Sequence, residues 1–174
     1  MLMNYLNIGI SYCIRLIPLA FMISLIYFGI TCLIKRKIEI NPIHLILQFA
    51  WILIVLSILS ITGILGGHFD LTLIKNGYVL YSFNLFEEGL TMATLLNAIL
   101  FIPYGFLSTV IFKKVREKWI YGLLIGVIFT VIIEFLQIFV GRFVQLDDIL
   151  MNTLGTYIGY ILFISLLRFK HRLH

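Results

Sequence analysis

Five long apolar stretches constrain this chain more than any other feature. They run over residues 16–34, 43–65, 95–112, 119–140 and 149–167, and each is bounded by charged or turn residues. About 20 apolar residues in a helix cross the hydrocarbon core of a bilayer. Because 61% of the 174 residues are hydrophobic and only 12% are charged, a water-soluble surface is excluded. We therefore predict a single all-α integral membrane domain over 1–174, a bundle of about five transmembrane helices. The first helix can begin earlier, since 8–34 is apolar apart from Arg15.

The distribution of charge predicts the orientation of the bundle. Ten of the 13 Lys and Arg residues fall in two short loops and the carboxyl-terminal tail, which five crossings place on one side: Lys35, Arg36, Lys37, Lys113, Lys114, Arg116, Lys118, Arg168, Lys170 and Arg172. Six of the eight acidic residues lie on or near the other side: Asp70, Glu87, Glu88, Glu134, Asp147 and Asp148. Positive loops stay cytoplasmic, so we expect the amino terminus outside and the carboxyl terminus inside. The net charge of +5 then reflects topology and anionic membrane lipids as partners, and we expect no nucleic-acid partner.

The longest connection, 66–94, is predicted to be external. Residues 71–74 and 78–86 flank Lys75, Asn76 and Gly77, and Asn-Gly between β-prone runs is typical of a hairpin turn. We therefore expect a short hairpin-like loop. The loop is apolar enough to lie on the outer membrane face as a lid, although a plain connector is equally compatible with the sequence.

Polar chemistry is concentrated around Glu134, which is the only ionisable residue in 123–140. A carboxylate inside a membrane is costly and marks a functional site by default. Gln137 lies on the same helical face, and Arg142, Asp147 and Asp148 follow within a few residues.

Helical spacing predicts which groups can meet. Asp148 and Asn152 share one face of the fifth span with Gly155 and Gly159, while Asn97 lies near the outer end of the third span. The pairs Gly122/Gly126 and Gly155/Gly159 match the small-xxx-small pattern that lets helix backbones approach closely, so we expect them to join the fourth and fifth spans.

These residue types suggest roles. Glu134 and Asp148 are the candidate catalytic pair, acting as general acid and base. The candidate ligand-binding residues are those able to hold a carboxylate, phosphate or polar group: Asn97, Gln137, Arg142, Asp147 and Asn152. Structural alternatives stay open: Glu134 and Arg142 can form an interhelical ion pair, the amides can join helices, and Asp147 can cap the fifth span or pair with Arg142. Without a nucleophile motif, a phosphate-binding glycine loop or a metal-ligand cluster, we expect no metal and no cofactor, and the chain can be an enzyme or a binding protein.

Three segments resemble the VanZ-like family. They are Asn97-Ala-Ile-Leu-Phe-Ile-Pro-Tyr-Gly-Phe106, then Glu134-Phe-Leu-Gln137 with Gly141-Arg142, and Asp147-Asp148-Ile-Leu-Met-Asn152-Thr-Leu-Gly155. The resemblance covers about 84–159. Asn84-Leu85 resembles the start of a further family segment, but Phe86, Glu87 and Glu88 follow and its proline is absent.

The resemblance implies a multi-pass protein of the bacterial plasma membrane, linked in the founding member to reduced teicoplanin susceptibility. The first hypothesis is therefore action at the outer leaflet on or with a cell-envelope precursor or another lipid-linked molecule. The second is a small proton-coupled transporter or flippase subunit, which at this size would need to assemble as a homo-oligomer. The third is a non-catalytic interaction protein whose partner is another membrane protein.

Overall fold

The computed structural model describes residues 2–36, 41–86 and 89–172. Within these ranges the chain forms six α-helices, a 3-10 helix at Lys113–Arg116 and two short strands. The helices are α1 (Leu2–Lys35), α2 (Pro42–Ile61), α3 (Leu71–Lys75), α4 (Met92–Ile111), α5 (Trp119–Phe139) and α6 (Leu146–Arg172). The strands are β1 (Tyr81–Ser82) and β2 (Val144–Gln145). Lys37, Glu87 and Glu88, which contributed to the predicted orientation, lie outside the described residues.

The predicted helical membrane bundle is confirmed. Five of the described helices, all except α3, are long and apolar enough to cross a membrane, and they coincide with the five predicted spans. The chain is therefore a multi-pass α-helical membrane protein. The first helix is longer than its predicted span: its 34 residues measure about 51 Å at about 1.5 Å per residue, more than the hydrocarbon thickness.

The order of the helices gives the bundle two chemically different ends. We call the end where α2 and α5 finish and α4 and α6 begin the site end. The opposite end, where α1, α4 and α6 finish, is called the basic end because it carries Arg36, Lys113, Lys114, Arg116 and Lys118. At the basic end the Arg116 guanidinium donates hydrogen bonds to the carbonyl oxygens of Thr109 and Val110, which satisfies acceptors left free at the end of α4.

Helix α6 lies between α4 and α5, and glycines allow its close approach to α4. A Cβ atom placed on Gly155 would lie 2.0 Å from the carbonyl oxygen of Ala98, and one on Gly159 would lie 2.1 Å from that of Ile102. From the other side, a Cβ on Gly105 of α4 would lie 1.9 Å from the carbonyl oxygen of Thr156. The two backbones are therefore in direct contact, and no side chain fits at these three positions.

The prediction that both glycine pairs join the fourth and fifth spans was wrong for one of them. Gly122 and Gly126 on α5 do face α6, against Tyr160 and Thr156. Gly155 and Gly159, however, face α4. A small-xxx-small pattern identifies a surface that another helix can approach, but it does not identify that helix.

Helix α1 is peripheral. It packs on α2 through a cluster that contains Ala20, Ile52 and Leu56. Only 6% of the residues in its most apolar segment are buried, against 28% in α2 and 33% in α4, α5 and α6. Most of α1 therefore presents apolar side chains outward, as a helix at the edge of a membrane bundle does.

The predicted hairpin in the long connection was wrong. Leu71–Lys75 forms helix α3, capped by Asp70, whose side chain accepts hydrogen bonds from the Thr72 backbone N–H at 2.8 Å and hydroxyl at 2.6 Å. These two bonds also lower the pKa of Asp70. Asn76 and Gly77 end this helix rather than turn a hairpin: the N–H of Gly77 donates to Ile74 and that of Tyr78 to Leu73, a glycine-terminated helix end.

The strand that follows pairs with a distant partner. Strand β1 runs parallel to β2, with Tyr81 opposite Val144 and Ser82 opposite Gln145. The connection also donates a backbone hydrogen bond from Asp70 to the Phe139 carbonyl oxygen at 2.9 Å. The long connection therefore packs across the ends of α5 and α6 instead of serving as a plain connector.

We expect Gly155→Ala to destabilise the protein by about 1–3 kcal/mol, because the added methyl group meets backbone that cannot move aside. Gly29→Ala on α1 is the matched control, since a Cβ there has no atom within 4 Å. It should be neutral or slightly stabilising through helix propensity. Thermal unfolding of both variants in the same detergent measures the difference, and equal stability would contradict the close α4–α6 contact.

Candidate functional site

A cavity of about 1090 Å³ opens at the site end of the bundle. Its wall combines the start of α1, the end of α2, the starts of α4 and α6, the end of α5 and parts of the connections. All seven residues predicted from the sequence as catalytic or ligand-binding line it: Asn97, Glu134, Gln137, Arg142, Asp147, Asp148 and Asn152. Residues from three helices and one turn, up to 55 positions apart in the chain, therefore share one site.

Asp148 and Asn97 connect α6 to α4 inside the cavity. The Asn97 side-chain amide donates a hydrogen bond to an Asp148 carboxylate oxygen at 2.5 Å. Asp148 lies in the first turn of α6, where a negative charge also interacts favourably with the helix dipole. The inward orientation predicted for Asp148 from its spacing to Asn152 agrees with this geometry.

Glu134 is held by backbone and is 3% exposed. Its carboxylate accepts a hydrogen bond from the Gln145 backbone N–H at 3.2 Å. Gln145 belongs to β2, so the short parallel pairing with β1 fixes the donor that the carboxylate uses. Asp148 lines the same cavity, so the two candidate catalytic carboxylates share one site.

Arg142 shares the cavity without forming the ion pair considered above as a structural alternative. Among the residues that the structure describes, the hydrogen bonds to Glu134 and Asp148 come from amide nitrogens. The Arg142 side chain instead packs over Gly63, where a Cβ would lie 2.9 Å from a guanidinium nitrogen and where φ is +78°. The guanidinium lines the cavity, where it can meet a ligand.

In the side chains of Gln137 and Asn152 the amide nitrogen is hydrogen-bonded, whereas the carbonyl oxygen is not within the ranges that the structure describes. The Gln137 amide donates to the Thr62 carbonyl oxygen at 3.0 Å, and the Asn152 amide donates to the Thr130 hydroxyl at 3.0 Å. The structural alternative for these side chains is thus correct for their amide nitrogens. Their carbonyl oxygens are buried and have no hydrogen-bond partner among the described residues. An unsatisfied buried acceptor costs about 1–3 kcal/mol, which a ligand donor can recover.

Asp147 holds the long connection against the site. Its carboxylate accepts the Phe86 backbone N–H at 2.9 Å, and Phe86 adopts a left-handed conformation with φ of +52°. This carboxylate, for which a helix cap or pairing with Arg142 was expected, binds a backbone group of the 62–91 connection. Asp147 positions that connection over the cavity, beside Ser82 and Asn84, which also line it.

Several site residues could not be recognised from the sequence. Gln145, Thr62 and Thr130 supply a donor or acceptor to the predicted residues, but they carry no motif of their own. The larger omission is an apolar part of the wall, which contains Ile10, Ile14 and Ile17 of α1 and Leu96, Ile99 and Leu100 of α4. The sequence alone does not distinguish such residues from side chains that face lipid.

The cavity is rich in hydrogen-bond acceptors. Among its described lining residues, three carboxylates (Glu134, Asp147 and Asp148) and one guanidinium (Arg142) give a formal charge of −2. The unsatisfied oxygens of Gln137 and Asn152 add to the excess of acceptors. This arrangement suits a ligand with hydroxyl or amine donors, while Arg142 can hold an anionic group of the same ligand.

The chain belongs to the VanZ/LLP1 family, whose model matches residues 7–168. The match confirms the resemblance drawn from the three segments and extends it beyond 84–159 in both directions, to include α1 and α2. No curated protein and no solved structure matches the chain.

We expect Thr130 and Asn152 to be energetically coupled, because each would leave the other buried and unpaired if removed. A double-mutant cycle with Thr130→Val and Asn152→Leu should give a coupling energy of about 0.5–2 kcal/mol in unfolding measurements. Pairing Asn152→Leu with Thr31→Val, a site on α1 whose hydroxyl donates to the Tyr27 carbonyl oxygen of its own helix, should give additive effects. Additivity in the first cycle would contradict the buried hydrogen bond.

Proposed function

We propose that this VanZ-like membrane protein acts at the outer leaflet of the bacterial plasma membrane, on or with a lipid-linked cell-envelope molecule, and that it lowers susceptibility to teicoplanin. The observation that supports this proposal is the convergence of the seven polar residues in one cavity at the site end. Intramembrane ionisable residues that face a shared cavity are characteristic of functional sites.

The charges of the connections support the orientation that this proposal requires. The basic end carries the Lys and Arg residues of the short loops, which the positive-inside rule assigns to the cytoplasm. The site end would then face outward. The exposed apolar residues of the long connection suit contact with the membrane surface there, among them Phe69, Leu71, Tyr78, Phe83 and Leu90.

In this proposal the residues have distinct roles. Arg142 binds a phosphate or carboxylate of the ligand, and Gln137 and Asn152 orient its hydroxyl or amine groups. Glu134, with Asp148 beside it, accepts or donates a proton if the ligand is modified. The same arrangement serves recognition alone if no bond is changed, so the proposal covers a binding protein as well as an enzyme.

Packing beneath the cavity favours this proposal over transport. The polar lining ends at a tightly packed apolar core that includes Ile58, Phe101, Tyr104 and Ile133. The rings of Tyr104 and Phe129 stack there with centroids 4.3 Å apart. A transporter needs a route from the cavity to the basic end, and none of these core residues lines the cavity.

Glu134→Gln is the direct test, because it removes the charge and keeps the shape. A Gram-positive host expressing the chain should be protected against teicoplanin more than against vancomycin, and the variant should return teicoplanin susceptibility to the vector-only value. Asp70→Asn is the matched control: it removes a carboxylate from the same end, outside the cavity, and asparagine also caps a helix well. This control should retain full protection.

Membrane levels of the three proteins must be matched by immunoblot. Equal protection by the native chain and Glu134→Gln would make the carboxylate structural and contradict the assigned role. Absence of protection from the native chain would contradict the teicoplanin link, and dependence of its activity on a pH gradient would favour the proton-coupled transporter. Loss of co-purification with a membrane protein in Glu134→Gln would favour the interaction protein.

A further inference from the structure

We propose that a membrane lipid enters the cavity sideways between α1 and α4, with a hydrocarbon chain in an apolar groove and a donor-bearing head group at the acceptor cluster. The apolar groove is formed by Ile10, Ile14 and Ile17 of α1 and Leu96, Ile99 and Leu100 of α4. The acceptor cluster consists of Glu134, Gln137, Asp148 and Asn152. The inference rests on the proposed function and specifies the substrate class and its route of entry.

The groove is part of the cavity and part of the outer surface at once. Ile14 and Ile99 both line the cavity, yet they are 61% and 59% exposed on the surface of the bundle. Both belong to membrane-spanning segments, where the surrounding medium is hydrocarbon. The cavity therefore opens to the lipid phase and not only to water.

The helix packing explains why the opening lies there. Helix α1 packs on α2, and α4 packs most closely on α6 through the glycine contacts. Helices α1 and α4 both contribute to the wall of the 1090 Å³ cavity, which therefore separates them. Its volume reaches the upper end of the usual range for small-molecule sites, about 300–1,000 Å³, so it can hold a head group together with part of a chain.

The head group of the lipid, and not its hydrocarbon chain, determines which lipid binds. A lipid chain gains little by exchanging bilayer hydrocarbon for apolar side chains, since the two surroundings are equally apolar. The groove thus lets a lipid bind without leaving the membrane, while the acceptor cluster decides which lipid stays. The carbonyl oxygens of Gln137 and Asn152 are buried and have no hydrogen-bond partner within the described part of the chain, so they favour hydroxyl or amine donors, which the carboxylates also accept.

The first experiment uses phospholipids that carry a diazirine in the middle of one chain. The protein in maltoside micelles is photolabelled with such probes bearing glycerol (hydroxyl donors), ethanolamine (an ammonium donor) or choline (no donor) as head group. Peptide mass spectrometry then locates the adducts. We expect adducts on residues 10–17 and 96–100, with the glycerol or ethanolamine probe labelling more strongly than the choline probe; the stronger of the two identifies the donor type.

Two glycines of α1 provide matched variants. A Cβ at Gly9 or at Gly29 has no atom within 4 Å, so a phenylalanine starts into open space at either position, but of the two only Gly9 lines the cavity. Gly9→Phe should reduce labelling by the donor-bearing probe to the level of the choline probe. Gly29→Phe should leave it unchanged.

The two free cysteines offer a measurement on the native chain. Cys13 lines the cavity, with its sulfur 3.2 Å from the Ser57 hydroxyl oxygen, whereas Cys32 lies outside the cavity on the same helix. A donor-bearing phospholipid should slow alkylation of Cys13 by N-ethylmaleimide and leave the rate at Cys32 unchanged. Equal slowing at both positions would overturn the binding route.

Other results also overturn the inference. Adducts spread evenly over the lipid-facing surfaces, or unaffected by Gly9→Phe, would exclude the groove, and equal labelling by all three probes would exclude the role of the acceptor cluster. Teicoplanin protection separates this failure from that of the proposed function. If Glu134→Gln loses protection while Gly9→Phe keeps it, the proposed outer-leaflet site stands and the lateral route for lipid is overturned. If labelling behaves as expected but neither variant affects protection, the lateral route stands and the proposed function is overturned.

Discussion

The direct backbone contact between α4 and α6 determines where the polar groups of this protein lie. Three glycines remove the side chains that would hold the two helices apart, and the carbonyl oxygens of Ala98, Ile102 and Thr156 occupy the space. At this separation Asn97 reaches Asp148 across the interface. Helix α5 packs on the adjoining face of α6, where the Asn152 amide meets Thr130. Side-chain hydrogen bonds thereby join α6 to both of these helices.

The carboxylate of Glu134 shows how a membrane protein can hold a charge-bearing group with a backbone donor instead of an ion pair with any of the described residues. Its donor is the backbone N–H of Gln145, provided by a strand of only two residues. A backbone amide satisfies the carboxylate and leaves the Arg142 guanidinium uncommitted, whereas an ion pair would have occupied both. The backbone N–H of Gln145 therefore stabilises the structure, while the guanidinium of Arg142 can bind a ligand.

The sequence predicted the spans and the polar site well because both depend on strong local signals. Apolar length determines whether a segment can cross a membrane, and ionisable residues in such a segment are rare enough to mark a site, as Glu134 does. The sequence failed where the outcome depends on tertiary partners. The Asn76-Gly77 turn was assigned to a hairpin because the Asp70 cap and the distant pairing partner of β1 are not visible locally. The partners of Gly155 and of the Asp147 carboxylate, and the apolar side of the cavity, were missed for the same reason.

Because α1 is peripheral, different parts of the protein determine the size of the cavity and its hydrogen-bonding groups. This helix contributes apolar side chains to the wall and is attached mainly through α2. The hydrogen bonds of the carboxylates and amides instead join α4, α5, α6, β2 and the 62–91 connection. A tilt of α1 would enlarge or narrow the cavity and leave those bonds intact. Related chains could thus accommodate ligands of different bulk by changing a single edge helix, with the recognition chemistry preserved as a fixed core.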